Sequence, residues 1–381
     1  MTRFLAVLTF MFVFVMPVRA QTITQGVPPI DTLAQQAIIV EAATGYPLFE
    51  KNAQDSMPTS SMSKIMTMYL VFEAIKNGKF DLQDKVTTSN AAFSQPGSRS
   101  FLKSGQKVTV EDLIRGVVVQ SGNDAAVALA EAVAGSEGSF ASVMNAKAKQ
   151  LGLQNSFFRN ATGLPDPGHF STARDLALLA YSLIRDFPDQ YHYYGEKEFT
   201  FNKIKQGNRN PLLYRNMGVD GMKTGHTEAA GYGLVASALR EGRRVIVVVN
   251  GLGSMQKRAD ESAKLIEWAY REFEVQTYLR AGDKVGEAPL WLGESKTVSL
   301  TPARNVTFSI PRGAQDKVKV ALVINPETQA PIQKGRVLGK AIVSGEGLAP
   351  FEVPLVAMED VKPLGFFASL WARFKRLIGW E

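Results

Sequence analysis

The chain has 381 residues, a formal net charge of +7, 45% hydrophobic and 21% charged residues, the balance of a globular protein with room for two or three domains. It contains no cysteine, which excludes a disulfide framework, a thiol nucleophile and a thiolate-held metal. With three histidines (His169, His192, His226), no His-Glu-x-x-His segment and no Gly-x-x-x-x-Gly-Lys-Ser/Thr loop, neither a metal nor a nucleotide cofactor is expected.

The chain opens with MTRFLAVLTFMFVFVMPVRA, in which Arg3 precedes an apolar run from Phe4 to Met16 and small residues stand at Val18 and Ala20. This is the layout of a secretory signal peptide cleaved after Ala20, with an uncleaved anchor as the alternative. The apolar run is 13 residues, short of the ~20 that span a bilayer. Its removal takes Arg3 and Arg19 and no acid, so +7 becomes +5. A mildly basic exported protein suits an anionic membrane or wall surface, not nucleic acid.

AIIVEAATGYPLFEKN (37–52) predicts a hairpin around Thr44-Gly45. From Pro58 the recurrence of Met62, Ile65, Met66 and Tyr69 predicts a helix, with Thr59 or Ser60 as its cap. Residues 95–106 read as a Gly/Ser/Pro loop. VEDLIRGVVV and DAAVALAEAVAG are helical segments separated by Ser121-Gly122-Asn123, and SFASVMNAKAKQLG is a third, ended by Gly152. A turn-rich loop, 160–172, precedes the helix ARDLALLAYSLIRDF, whose Arg174 and Asp175 read as a helix-start pair. Residues 233–252 predict a second hairpin around Glu241-Gly242, and 255–273 an amphipathic helix. Hairpins bracketing a block of helices imply an antiparallel sheet with helices packed on it.

Near residue 277 the pattern changes to short β-type runs (KTVSL, NVTFSI, KVKVALVI, AIVSG, FEVPLV) broken by turn residues, which predict a small β-sandwich over 277–358. In the tail, 359–381, Leu364, Phe366, Phe367, Leu370, Trp371, Phe374, Leu377 and Ile378 fall on one helical face of roughly 160°. Ser369, Arg373, Lys375 and Arg376 occupy the other side. This favours an interfacial membrane helix, too short and too polar on one side to span, with a helix docked on its own protein as the alternative.

For chemistry, serine with lysine remains. Ser-x-x-Lys occurs four times, at Ser61/Lys64, Ser100/Lys103, Ser104/Lys107 and Ser254/Lys257. At i, i+3 on a helix, Ser61 and Lys64 share a face. A lysine with its reference pKa of about 10.4 is a poor base, so the site must depress it by burial or by a nearby cation. Lys223, in DGMKTGHTEAAGYGL (220–234), offers that cation, and Gly225 behind it would let a substrate backbone approach.

SMSK at 61–64, SGN at 121–123 and KTG at 223–225, in that order, resemble the three motifs of penicillin-binding proteins and serine β-lactamases. The spacings of 60 and 102 residues are similar to those of the low-molecular-mass D-alanyl-D-alanine carboxypeptidases. VTVEDLIRGVVVQSGNDAA, STARDLALLA and VDGMKTGHTEAAGYGL resemble the same subfamily. The resemblance implies an α+β chain with four parts. These are a signal peptide (1–20), a β-lactamase/transpeptidase-like serine D,D-peptidase domain with helices on both faces of its sheet (21–276), a β-sandwich domain (277–358) and an amphipathic membrane-anchor helix (359–381).

It further implies that Ser61 attacks the penultimate D-Ala carbonyl of a peptidoglycan stem pentapeptide, with Lys64 as base and Ser121 relaying a proton to the leaving D-Ala. Asn123 would hold Lys64 or the substrate amide. Lys223, Thr224 and Arg258 would serve the substrate carboxylate, with Arg209 a weaker candidate. The backbone N–H groups of Ser61 and His226 would form the oxyanion hole. β-Lactams would acylate Ser61. The loop 153–172 holds no glutamate to activate a deacylating water, as class A β-lactamases have. A D,D-endopeptidase, a β-lactamase or a non-catalytic penicillin-binding scaffold are the alternatives on the same motifs. The expected location is the periplasmic face of the cytoplasmic membrane.

Overall fold

A computed structural model of the chain describes residues 27–345 and 348–380. The expected signal peptide, 1–20, lies outside them. Two compact units divide the chain: one runs up to Gln276 and includes Ser309–Gly313, and the other comprises Thr277–Phe308 and the chain from Ala314 onward.

In the first unit five strands form one antiparallel sheet, in the order Tyr46–Lys51, Gln36–Glu41, Arg243–Leu252, Gly231–Arg240, Val219–Thr227. The strand Arg243–Leu252 shows why this sheet is covered on both sides. Ile246 and Val248 belong to one apolar cluster, while Val245, Val247 and Val249 belong to another. Successive side chains of a strand point to opposite faces, so an unbroken apolar run needs a core on each. On one face lies the helical block; on the other the helix Met255–Glu272 packs Leu265, Ile266, Trp268 and Ala269. This is the α+β arrangement expected from the sequence.

The helix Lys64–Lys76 runs through the middle of the helical block. Every residue from Ile65 to Phe72 is buried, so it has no solvent face. Its N-terminal turn packs on Val219–Thr227, the edge strand of the sheet.

The second unit carries a six-stranded sheet, ordered Val318–Ile324, Val337–Gly345, Leu348–Ala357, Thr297–Pro302, Gly286–Trp291, Thr328–Gln329. Phe351, Val353, Leu355 and Ala357 are buried and alternate with outward Glu352 and Pro354, the period-2 signature of a sheet with one covered face. Across that face Phe308 meets Phe351 with ring centroids 5.0 Å apart. The tail forms the helix Phe366–Leu377, none of whose residues is buried. Arg376 pairs with Glu327 at 2.6 Å, and the Arg373 and Arg376 guanidinium groups lie 5.7 and 4.5 Å from the Trp291 ring. Its basic side therefore rests partly on the β unit, and its aromatic side is bare: Phe367 is 83% exposed and Leu377 84%. No described helix is long and apolar enough to cross a membrane.

Candidate active site

The chain enters the helix Lys64–Lys76 through a 3₁₀ turn, Ser60–Ser63, in which Ser61 lies. The expected cap is not made, for neither the Thr59 nor the Ser60 side chain accepts a helix N–H. The Ser60 hydroxyl donates instead to the Thr59 carbonyl at 2.7 Å, and Ser60 has φ +45°. The turn is pressed against the edge strand. A Cβ on Gly225 would stand 2.2 Å from Ser60 Oγ and 2.9 Å from the Thr59 carbonyl oxygen. This corrects the expectation for Gly225: it lines the cleft, but what forbids a side chain there is the protein's own turn rather than a substrate backbone.

Packing this turn into the helical block brings the three motifs together. Lys64, fully buried, has Nζ 3.0 Å from Ser61 Oγ, 2.6 Å from Asn123 Oδ1 and 2.5 Å from the Thr162 carbonyl oxygen. A neutral amine has two N–H donors and one lone pair. With Asn123 Oδ1 and the Thr162 carbonyl taking the donors, the lone pair is left facing the Ser61 hydroxyl. Asn123 is itself oriented, since its Nδ2 donates to the Pro96 carbonyl at 2.7 Å. A second serine–lysine pair stands beside the first: Lys223 Nζ lies 3.0 Å from Ser121 Oγ and donates to the Thr224 carbonyl at 3.1 Å. Ser121 has φ +65°, a left-handed conformation that non-glycine residues seldom adopt.

Burial drives the Lys64 pKa down to about 7, with the Arg209 guanidinium adding to the shift and Asp124 and Glu137 opposing it. This revises the expected role of Lys223, which does not stand out as the cation that depresses Lys64. Lys223 is itself fully buried and held well below the usual lysine range, by burial first and then by Lys64, Arg209 and Arg258. Desolvation outweighs charge repulsion at both lysines.

A cleft of about 390 Å³ opens over these groups, lined by Ser61, Ser121, Thr224, Gly225, His226 and Arg258 among others. Arg258 is 5% exposed, and its buried Nε has no hydrogen-bond partner among the described residues. Its guanidinium lies 5.7 Å from the Tyr232 ring, which stacks on the His226 imidazole at 3.9 Å. Burial lowers the Arg258 pKa to about 10. Arg209 stands at the rim and donates to Ser98 Oγ at 2.7 Å. Asp124 offers these cations no direct partner, because its carboxylate accepts the backbone N–H groups of Ser100, Leu102 and Ala125. The cleft thus carries two arginines, Arg209 and Arg258, without a facing carboxylate among the described residues, and the two lysines lie buried beneath it. An anion is the ligand such a field favours.

The rival Ser-x-x-Lys pairs do different things. Ser254 accepts the Lys257 backbone N–H at 3.1 Å, an ordinary N-cap. Ser100 is buried with no partner for its hydroxyl among the described residues, and Lys103 is exposed. Asp175 gives its backbone N–H to the capping Thr172 hydroxyl at 3.0 Å, while its carboxylate ties down the preceding loop by accepting from Asn155 N and Ser156 Oγ, both at distances below 3 Å. Two contributors were not picked out from the sequence. The Thr162 carbonyl is a backbone group, which carries no residue-type signal. His169 lies in the turn-rich loop 160–172, where nothing in the sequence marks it, yet it is buried against Ser63.

Comparison with known proteins yields the same outline. Residues 21–253 match a family model described as D-alanyl-D-alanine carboxypeptidase of the peptidase S11 type, and residues 273–363 match the penicillin-binding protein 5 C-terminal domain. The chain is 42% identical over 370 residues to the D-alanyl-D-alanine carboxypeptidase DacC of Escherichia coli, covering 95% of this chain and 92% of that one. Among solved structures it resembles penicillin-binding protein 5 of Haemophilus influenzae, with a TM-score of 0.82, 40% identity, and 88% and 100% of the two chains covered. It also resembles penicillin-binding protein D2 of Listeria monocytogenes in an ampicillin-bound form, with a TM-score of 0.59, 33% identity, and 64% and 99% covered.

Proposed function

Because the chain belongs to the peptidase S11 family of D-alanyl-D-alanine carboxypeptidases, we propose that it removes the terminal D-Ala from peptidoglycan stem pentapeptides through an acyl-enzyme on Ser61. The observation that carries this reading is the placement of Lys64 Nζ 3.0 Å from Ser61 Oγ while Asn123 Oδ1 and the Thr162 carbonyl accept its N–H groups, which leaves a neutral amine's lone pair for the Ser61 hydroxyl. Ser61 Oγ attacks the penultimate D-Ala carbonyl and its proton passes to Lys64 Nζ, general-base help worth roughly 10²–10⁴ in rate. The oxyanion is received by the backbone N–H groups of Ser61 and His226. An edge strand keeps unpaired N–H groups for such a task, and each donor is worth about 3 kcal/mol. Collapse of the intermediate breaks the C–N bond. The leaving D-Ala amine takes a proton delivered through Ser121, whose hydroxyl Lys223 supports. Water then hydrolyses the ester, returning Ser61.

The Arg258 guanidinium, whose buried Nε has no partner among the described residues, receives the terminal carboxylate with Thr224 and Arg209. Replacing Arg258 by alanine is expected to lower kcat/KM for a D-Ala-D-Ala peptide about 10²-fold, the loss typical of one partner of a desolvated charge pair. The same change should be nearly neutral for a peptide ending in D-Ala-D-Ala-amide. An equal loss on both peptides would place Arg258 elsewhere in the mechanism.

β-Lactams are read as acylating Ser61, supported by the ampicillin-bound form of the Listeria relative. The adduct is expected to persist. The loop 153–172 supplies no glutamate, and Glu137, whose charge reaches Lys64, spends Oε1 on the Ala161 backbone N–H at 3.0 Å. Rapid hydrolysis of benzylpenicillin without an adduct would favour the β-lactamase alternative, and cleavage of a cross-linked dimer without D-Ala release the endopeptidase.

The export signal and the tail together suggest a protein held on the periplasmic face of the cytoplasmic membrane, with the bare aromatic side of the helix Phe366–Leu377 in the lipid interface. Deleting residues 363–381 is expected to move the protein into the soluble fraction with D-Ala release per mole unchanged. Persistent membrane binding of the shortened chain would count against the tail as anchor.

A further inference from the structure

The loop 160–172 touches the Ser61 turn at a second point besides the Thr162 carbonyl. His169, 7% exposed, places Nε2 2.7 Å from Ser63 Oγ, and Ser63 Oγ lies 2.5 Å from Thr59 Oγ1. The Arg159 backbone N–H donates to His169 Nδ1 at 3.3 Å. A nitrogen that accepts an N–H is the unprotonated one, so the imidazole proton sits on Nε2. Nε2–H then donates to Ser63 Oγ, and the Ser63 hydroxyl is left to donate to Thr59 Oγ1. The polarity of the whole chain is set by one backbone N–H.

Thr59 and Ser63 are the two ends of the segment that holds Ser61, and no side chain caps that segment. Ser60 within it has φ +45°, a conformation that needs support from its surroundings. The loop backbone lies directly on the turn as well: a Cβ on Gly163, at φ +78°, would stand 1.8 Å from the Ser60 carbonyl oxygen. The loop therefore braces the turn from outside, through His169 on Ser63 and Gly163 on the Ser60 carbonyl.

We propose that His169 is a positioning residue for acylation: as the neutral Nε2–H tautomer it holds, through Ser63 and Thr59, the turn that presents Ser61 to the substrate carbonyl. This rests on Ser61 as the nucleophile. Burial keeps the imidazole neutral by pushing its pKa down to about 4, with Asp166 opposing the shift and the Lys64 ammonium adding to it. A protonated ring would turn Nδ1–H against the Arg159 N–H and break the chain.

The test is the second-order rate of acylation of the full chain by a fluorescent penicillin. His169→Leu, which keeps volume and removes both hydrogen bonds, is expected to acylate at least about 10-fold more slowly, as a small misplacement of a reacting group does. His169→Gln can offer an N–H to Ser63 and a carbonyl to Arg159, and should recover to within about 3-fold of the parent. Ser63→Ala should lose as much as His169→Leu, and the double variant should be no slower than the slower single, since both break one chain. Additive losses, or a glutamine variant no better than leucine, would mean that the ring only fills space, and would overturn the proposal. Ser63→Ala acylating at the parent rate would overturn it too, even if the leucine protein fails to fold. Ser61→Ala measured alongside separates the premise: an adduct on that variant would defeat the nucleophile assignment rather than the role of His169.

Discussion

Replacing Ser61 by alanine is expected to abolish both the release of D-Ala from a stem pentapeptide and the covalent adduct with benzylpenicillin. The loss should be about 10⁴- to 10⁶-fold in kcat, the range seen when a covalent nucleophile is removed from an otherwise intact site. Little else in the cleft should change. Ser61 is only partly buried, and its replacement leaves the Lys64 contacts to Asn123 and Thr162 in place. Binding of a D-Ala-D-Ala peptide should therefore survive at Arg258 while turnover disappears. Intact-mass measurement after benzylpenicillin should show one adduct on the parent chain, mapping to the peptide that contains Ser61. D-Ala release by the alanine variant within tenfold of the parent would end the reading, and so would an adduct mapped to Ser121 or Ser254.

Replacing Lys64 by methionine should lower the acylation rate by about 10²–10⁴, the usual contribution of a positioned general base. The pH profile separates this from simple disruption. The Lys64 pKa is depressed to about 7 by burial and the Arg209 charge, so the amine is free to take a proton above that pH and already protonated below it. Acylation by the parent chain should thus fall about tenfold per unit as pH drops below about 7, and the methionine variant should lack that limb. Lys64→Arg should be as poor as methionine, because guanidinium keeps its proton at any working pH. A parent profile flat through pH 7, or an unchanged limb in the methionine variant, would move the base elsewhere, with the Ser121–Lys223 pair next to examine.

The three motifs were legible in the chain because each is short and local. Ser61 and Lys64 need only one helical turn, and Ser121 and Asn123 only the start of a helix. The alternation of Phe351, Val353 and Leu355 and the unbroken run Val245–Val249 likewise announced one covered sheet face and two. The apolar face of the tail was equally plain. Which side of that helix would be bare was not, because the answer depends on Trp291 and on Glu327, 49 residues before Arg376, receiving that guanidinium.

Less legible was everything that depends on distance across the fold. The sequence offered Lys223 as the group that makes Lys64 a base. Burial turns out to dominate, and burial depends on the packing of the whole helical block around residues 62–72. Gly225 was visible as a glycine, but what it faces became visible only once the Ser60 turn was laid on the edge strand. The Thr162 carbonyl could not be found at all, since every residue has a carbonyl and only its position 2.5 Å from Lys64 Nζ singles it out.

The sequence alone thus determined which side chains are present for serine–lysine chemistry, in what order, and in what kind of fold. The tertiary structure decided which proton each of them holds. Covalent order and apolar periodicity are properties of the chain, whereas a pKa is set by the water and charge that packing removes or brings near.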